Sequence, residues 1–168
     1  MPEKKTVERA HKAKREGKSA STQAGAFVKE QIDHIREGKH GAKSAKQAIA
    51  IGLSEARRSG VKLKTPKKGE ASESTRKKAA QDTKAAHRKT KSPSTESKAK
   101  RSATSTRVLK RESTKAASHK SLSKQAHASA SRRSAADRSA SAKKGWETRR
   151  AHAAGKKSAS SASRHASR

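Results

Sequence analysis

Cysteine and tyrosine are absent from this 168-residue chain, and Phe, Trp and Met occur once each. Without cysteine there is neither a disulfide framework nor a thiolate metal site. Acidic residues are scarce, 14 Asp plus Glu against 45 Lys plus Arg, which leaves a formal net charge of +31. No apolar run approaches the roughly 18 residues of a membrane span. The opening MPEKKTVERAHKAKREGK lacks the apolar stretch of about 7–15 residues that marks a secretory signal. The chain is therefore expected to stay where it is made, in the cytoplasm at the nucleoid, without a membrane partner. No glycine-rich phosphate loop, nucleophile elbow or convergent carboxylate pair is visible, so neither enzymatic activity nor a cofactor is expected.

Hydrophobic residues make up 28% of the chain, and most of them are alanine. Low hydrophobicity with high net charge describes a chain that buries too little apolar surface to offset its ordering entropy. Charge of this size speaks about partners: a pI near 11.4 points to a polyanion. Nucleic acid is the expected partner, DNA ahead of RNA, because so many cations displace condensed counterions from phosphates.

A composition shift falls near VKLKTPKKGEASES, residues 61–74. Residues 1–65 carry 16 basic and 7 acidic residues, net +9, with every Ile and the only Phe. Residues 66–168 carry 29 basic and 7 acidic residues, net +22, and their large apolar residues are Val108, Leu109, Leu122 and Trp146. Pro66 marks the boundary. The expected fold is a small all-α module of two to three short helices (1–65) followed by a long, largely disordered basic tail (66–168). Alanine and lysine are good helix formers, but like-charge repulsion and 21 serines argue for disorder in water, with helix appearing once phosphates neutralise the lysines.

Within the module, glycine stops at Gly17, Gly38 and Gly60 divide three helical stretches, and REGK occurs at 15–18 and again at 36–39. The second stretch places Ala24, Phe27, Val28, Ile32 and Ile35 in one arc at helical spacing. The third begins SAKQ, with Ser44 and Gln47 in a capping-box pattern. Its small residues Ala45, Ala48, Gly52 and Ala56 would admit a neighbouring helix closely, and its Ile49/Leu53 face is expected to pack on Phe27, Val28 and Ile32. The first stretch offers only Val7, Ala10 and Ala13, which makes its docking doubtful. Ten large apolar residues form a thin core, so self-association through these helices is an option.

Several cations are candidates for phosphate contact. On the third helix, Lys43, Lys46 and Arg57 share an arc, with Gln47, Ser54 and Arg58 beside it. The plain alternative is an ordinary solvated face, and the linking turn GKHGA lacks a decisive helix-turn-helix signature. TPKK (65–68) and KSPS (91–94) are similar to the turns of linker-histone tails, with Lys67 and Lys68 flanking a phosphate, or else simply form a linker. Arg132, Arg133, Lys143, Lys144, Arg149 and Arg150 complete the set. Trp146 beside Arg149 and Arg150 offers a base-stacking contact, against the alternative of a short nascent helix. None of the eight histidines is expected to pair with carboxylates on one helix face, so no metal site is expected. Serines in RRSAADRSAS and KSPS lie beside basic residues, where phosphorylation would weaken polyanion binding.

REGKSASTQAGAFVKEQIDHIREGKHGAKSAKQAIAIGLSEARRSGVKL (15–63) closely resembles the N-terminal block of small, basic, uncharacterised proteobacterial proteins, some of which carry the label plasmid stabilisation protein. This resemblance implies a bacterial setting and transfers no active residues. The tail is similar in composition to bacterial histone H1-like proteins, which implies DNA compaction or bridging. An RNA- or ribosome-associated factor, a stress hydrophilin and a plasmid-maintenance component are the alternatives.

Overall fold

The computed structural model describes residues 2–87 and 98–165. Its elements are α1 (Lys4–Arg15), α2 (Ala20–Arg36), α3 (Ala45–Arg58), α4 (Glu73–His87), α5 (Lys98–Lys110), a 3-10 turn (Thr114–Ala117), α6 (His119–Ser131) and α7 (Ala135–His165). The chain forms two compact units, residues 1–125 and 126–168.

The first three helices end as their sequence demands. The REGK segments place Gly17 at φ +68° and Gly38 at φ +73°, left-handed values that side chains rarely adopt. Lys18 N–H then reaches the Ala13 carbonyl at 2.9 Å, and Lys39 N–H the His34 carbonyl at 2.9 Å, which closes the last turn of α1 and α2 alike. At the other end of α3, Ser44 Oγ accepts from Gln47 N–H at 3.2 Å. Gln47 Oε1 reaches back one residue further than expected, to Lys43 N–H at 2.8 Å.

The small-residue stripe of α3 makes the contact with α2. Ala45, Ala48, Gly52 and Ala56 are all buried. A Cβ on Gly52 would lie 2.7 Å from Val28 Cα, so the two helix backbones meet there. Leu53 joins a cluster of Phe27, Ala24, Ala10, Ala56 and Val61, while Ile49 stays half-buried and outside it. Of the expected Ile49/Leu53 face, Leu53 packs on the Phe27 cluster as anticipated, and the small-residue seam takes the place of Ile49. The first helix docks after all, through buried Thr6 and Ala10 and half-buried Val7.

The expected largely disordered tail is corrected. Helix covers Glu73–His87, Lys98–Lys110, His119–Ser131 and Ala135–His165. Alanine, lysine and arginine favour helix strongly enough to outweigh charge repulsion, and the serines act as starts more than as breakers. Ser72, Ser118 and Ser134 each accept an N–H three residues on, from Thr75, Ser121 and Asp137. Part of this stretch also packs on the first three helices. In α4, Asp82 is buried and accepts from Ser54 Oγ at 2.5 Å. The 3-10 turn inserts Ala116 and Ala117 beside Ile35, Ala42 and Ala48, and Arg36 Nε donates to the Ala117 carbonyl at 3.0 Å. Gly41 and Ala42 N–H donate to the Leu109 and Ser113 carbonyls at 2.9 and 3.1 Å. Among the described residues no helix is long and apolar enough to cross a membrane.

Candidate functional site

The cations of α3 do not form one face. Lys43 and Lys46 are exposed. Arg57 is turned inward, 8% exposed, with Nη2 3.4 Å from the Lys64 carbonyl, where it holds the chain returning from α3. Arg58 is exposed but engaged: its guanidinium donates to Ser54 Oγ at 2.7 Å and lies 3.4 Å from Asp82. This residue, expected at a phosphate, also ties α3 to α4. Lys67 and Lys68 are exposed in the turn before α4, where Lys67 N–H donates to Glu70 Oε2 at 2.7 Å. KSPS lies outside the described residues.

In the second unit, Arg132, Arg133, Lys143, Lys144, Arg149 and Arg150 are all exposed. Arg133 donates to the Asp137 carbonyl at 3.1 Å and to Ser141 Oγ, fixing the start of α7. Far from being a short nascent helix, the tryptophan segment lies inside the 31 residues of α7. Trp146 is 56% exposed, and the Arg150 guanidinium stacks over its ring at 4.4 Å. At about 100° per residue, Arg138, Arg149, Trp146, Arg150 and Lys143 fall within an arc of about 140°, with Lys144 on the far side. This face joins one aromatic plane to four cations. It can meet a phosphate backbone along its length and a base face at its centre. Among the described residues, the other large hydrophobic side chain left exposed is Val108.

Residues 3–69 match a family of unknown function, DUF6496. The matched stretch spans α1–α3 and the turn leading to α4. No curated protein and no solved structure matches the chain.

A second cluster corrects the expectation that no histidine pairs with carboxylates on one helix face. On α2, Glu30 and His34 are one turn apart and face the start of α1. His34 Nε2 lies 3.1 Å from Glu3 Oε1 and 4.0 Å from Glu30 Oε1. The Glu30 side chain is only 3% exposed. Its Oε1 accepts from Glu3 N–H at 2.9 Å, and its Oε2 has no hydrogen-bond partner. The hydrogen bond with His34, aided by the nearby Lys39 charge, holds the Glu3 carboxyl below its ordinary range. On the inner side, burial and the charge of Glu30 push the Glu55 carboxyl up, although Gln31 Nε2 donates to it at 2.8 Å. The signal available in the sequence is the i, i+4 spacing of Glu30 and His34. That a glutamate is buried there cannot be read without its neighbours from α1.

Proposed function

We propose that the chain binds nucleic acid, DNA foremost, without sequence preference, and that the cationic helices beyond residue 65 supply most of the affinity. The observation that carries this reading is the face of α7, with Trp146 exposed between Arg138, Lys143, Arg149 and Arg150. Each cation placed against a phosphate releases a condensed counterion, an entropic gain that ignores base identity. A helix that keeps its lysines and arginines exposed presents them at fixed spacing, so several phosphates are met at once. Trp146, with Arg150 on one side of its ring, can stack on an unpaired base. The helices of the first unit then serve as a mount, with Lys43 and Lys46 adding a smaller cationic patch. Compaction or bridging of DNA at the nucleoid follows if one chain spans two duplexes.

The test is the salt dependence of duplex binding, measured by anisotropy of labelled DNA with the full chain. Log K should fall linearly and steeply with log salt. Replacing Lys143, Arg138, Arg149 and Arg150 by Gln keeps a helix-forming surface and should reduce the slope by about 3–4, since each phosphate left without its cation lowers it by about 0.9. An unchanged slope would refute the assignment to α7. No binding at physiological salt would leave a solvated protective chain as the better reading. Competition with structured RNA separates a DNA function from a ribosome-associated one, and plasmid loss on deletion of the gene would supply the maintenance role suggested by the resemblance.

A further inference from the structure

We propose that Glu3, Glu30 and His34 form a binding site for a divalent transition-metal ion of the zinc type, which clips the start of α1 onto α2. The three residues each offer one ligand atom, and these atoms lie within 4.8 Å of one another. Two carboxylate oxygens and one imidazole nitrogen suit zinc and its neighbours better than calcium or magnesium, which favour all-oxygen sets. Tetrahedral ligands at bond lengths of about 2.0–2.2 Å stand about 3.3 Å apart. The separations from His34 Nε2, 3.1 Å to Glu3 and 4.0 Å to Glu30, bracket that value, and the third lies within 4.8 Å, so side-chain shifts of about 1–1.5 Å would close the site.

The independent observation is Glu30 itself. The Glu30 side chain is 97% out of solvent and its Oε2 has no partner, a desolvated acceptor that costs free energy while unmet. A bound cation answers that deficit. The surroundings already hold the ligands in place: Glu3 N–H donates to Glu30 Oε1, and the start of α1 is thereby fixed over α2. The His40 ring stands edge-on to His34 at 6.2 Å, and its Nδ1–H donates to the Gly41 carbonyl, which leaves the lone pair at its other nitrogen. Water or His40 would complete the coordination. Lys39 competes, with Nζ 3.8 Å from Glu3 Oε1, but its closer partner is Glu37 at 2.8 Å, where it can stay. The site has a structural purpose, because a small cysteine-free core gains from a metal clip.

The full chain, stripped of nucleic acid at high salt, should be titrated with zinc chloride against a chromophoric chelator and, separately, with cobalt(II). We expect a tight site at one metal per chain, a visible cobalt spectrum of near-tetrahedral intensity, and a zinc-dependent rise in Tm that EDTA reverses. Glu3→Gln and His34→Asn should each weaken binding by more than the ~10–100-fold that an outer-shell change costs, and should abolish the Tm rise. Glu3 is exposed, so its variant folds and decides the matter even if Glu30→Gln does not. His11→Asn, at an exposed histidine of α1, should leave both readouts unchanged. Zinc bound as tightly by Glu3→Gln and His34→Asn as by the parent would overturn the proposal, as would binding without any rise in Tm.

Discussion

Replacing glycine by alanine should have opposite effects at two positions only a helix apart. Both Gly25 in α2 and Gly52 in α3 lie inside helices, where alanine is favoured by about 1 kcal/mol on intrinsic propensity. Around Gly25 a new Cβ meets nothing within 4 Å, so the gain is kept. At Gly52 the Cβ would stand 2.7 Å from Val28 Cα, 2.9 Å from Val28 N and 3.0 Å from Phe27 O. Carbon contacts are most favourable near 3.5–4.0 Å, so α2 and α3 must part by close to about 1 Å. All three atoms are backbone, and no rotamer change can relieve them. Overpacking of this kind costs about 1–3 kcal/mol, and separation also loosens Ala45, Ala48 and Ala56 along the same seam. Net of propensity, Gly52→Ala should destabilise by about 1–2 kcal/mol. Calorimetric Tm of the full chain should then fall by roughly 2–8 °C, against a rise of about 2–4 °C for Gly25→Ala. If both variants gained stability, the close approach of α2 and α3 would be wrong.

Glu55→Gln should flatten the acid side of the stability profile. The folded chain holds the Glu55 proton more tightly than the unfolded one, so this group's contribution is fully present below its ordinary value of 4.5 and is lost as pH rises through the raised one. Relative to the parent, the variant should gain Tm as pH rises above 4.5; parallel profiles would refute the cause assigned. Asp82→Ala removes the acceptor for Ser54 and the partner of Arg58, at a cost of about 1–3 kcal/mol. Amides of α4 should then exchange with deuterium faster while those of α2 keep their protection, and α4 exchange unchanged from the parent would show that Asp82 does not hold α4. Trp146→Ala should weaken single-stranded DNA binding by about 1–3 kcal/mol and duplex binding much less, as read by competition; equal losses on both would remove the stacking contact.

What can be read from the sequence is local. Gly17, Gly38 and Ser44 announce helix ends through bonds within a few residues, and the small stripe at 45, 48, 52 and 56 repeats at helical spacing. Each survives in the structure. The failures share a different physics. Ala79, Ala116 and Ala117 are buried, yet inside an alanine-rich tail they are indistinguishable from solvated ones. Arg57, Glu30 and Asp82 are buried charges, and their burial depends on partners 7 to 28 residues away. The same distance effect hides the link from Arg58 to α4. Helix in the tail goes unseen when net charge is weighed above the propensity of alanine, lysine and arginine and above the serine starts.

The position of Trp146 also divides the protein optically. With no tyrosine and no second tryptophan in the chain, near-ultraviolet absorbance and emission arise from α7. The first unit, built around Phe27, is dark at those wavelengths. An emission change on mixing with a ligand therefore reports events at α7, while loss of the α1–α3 packing passes unseen. Calorimetry or exchange must follow the one, and a simple fluorimeter suffices for the other.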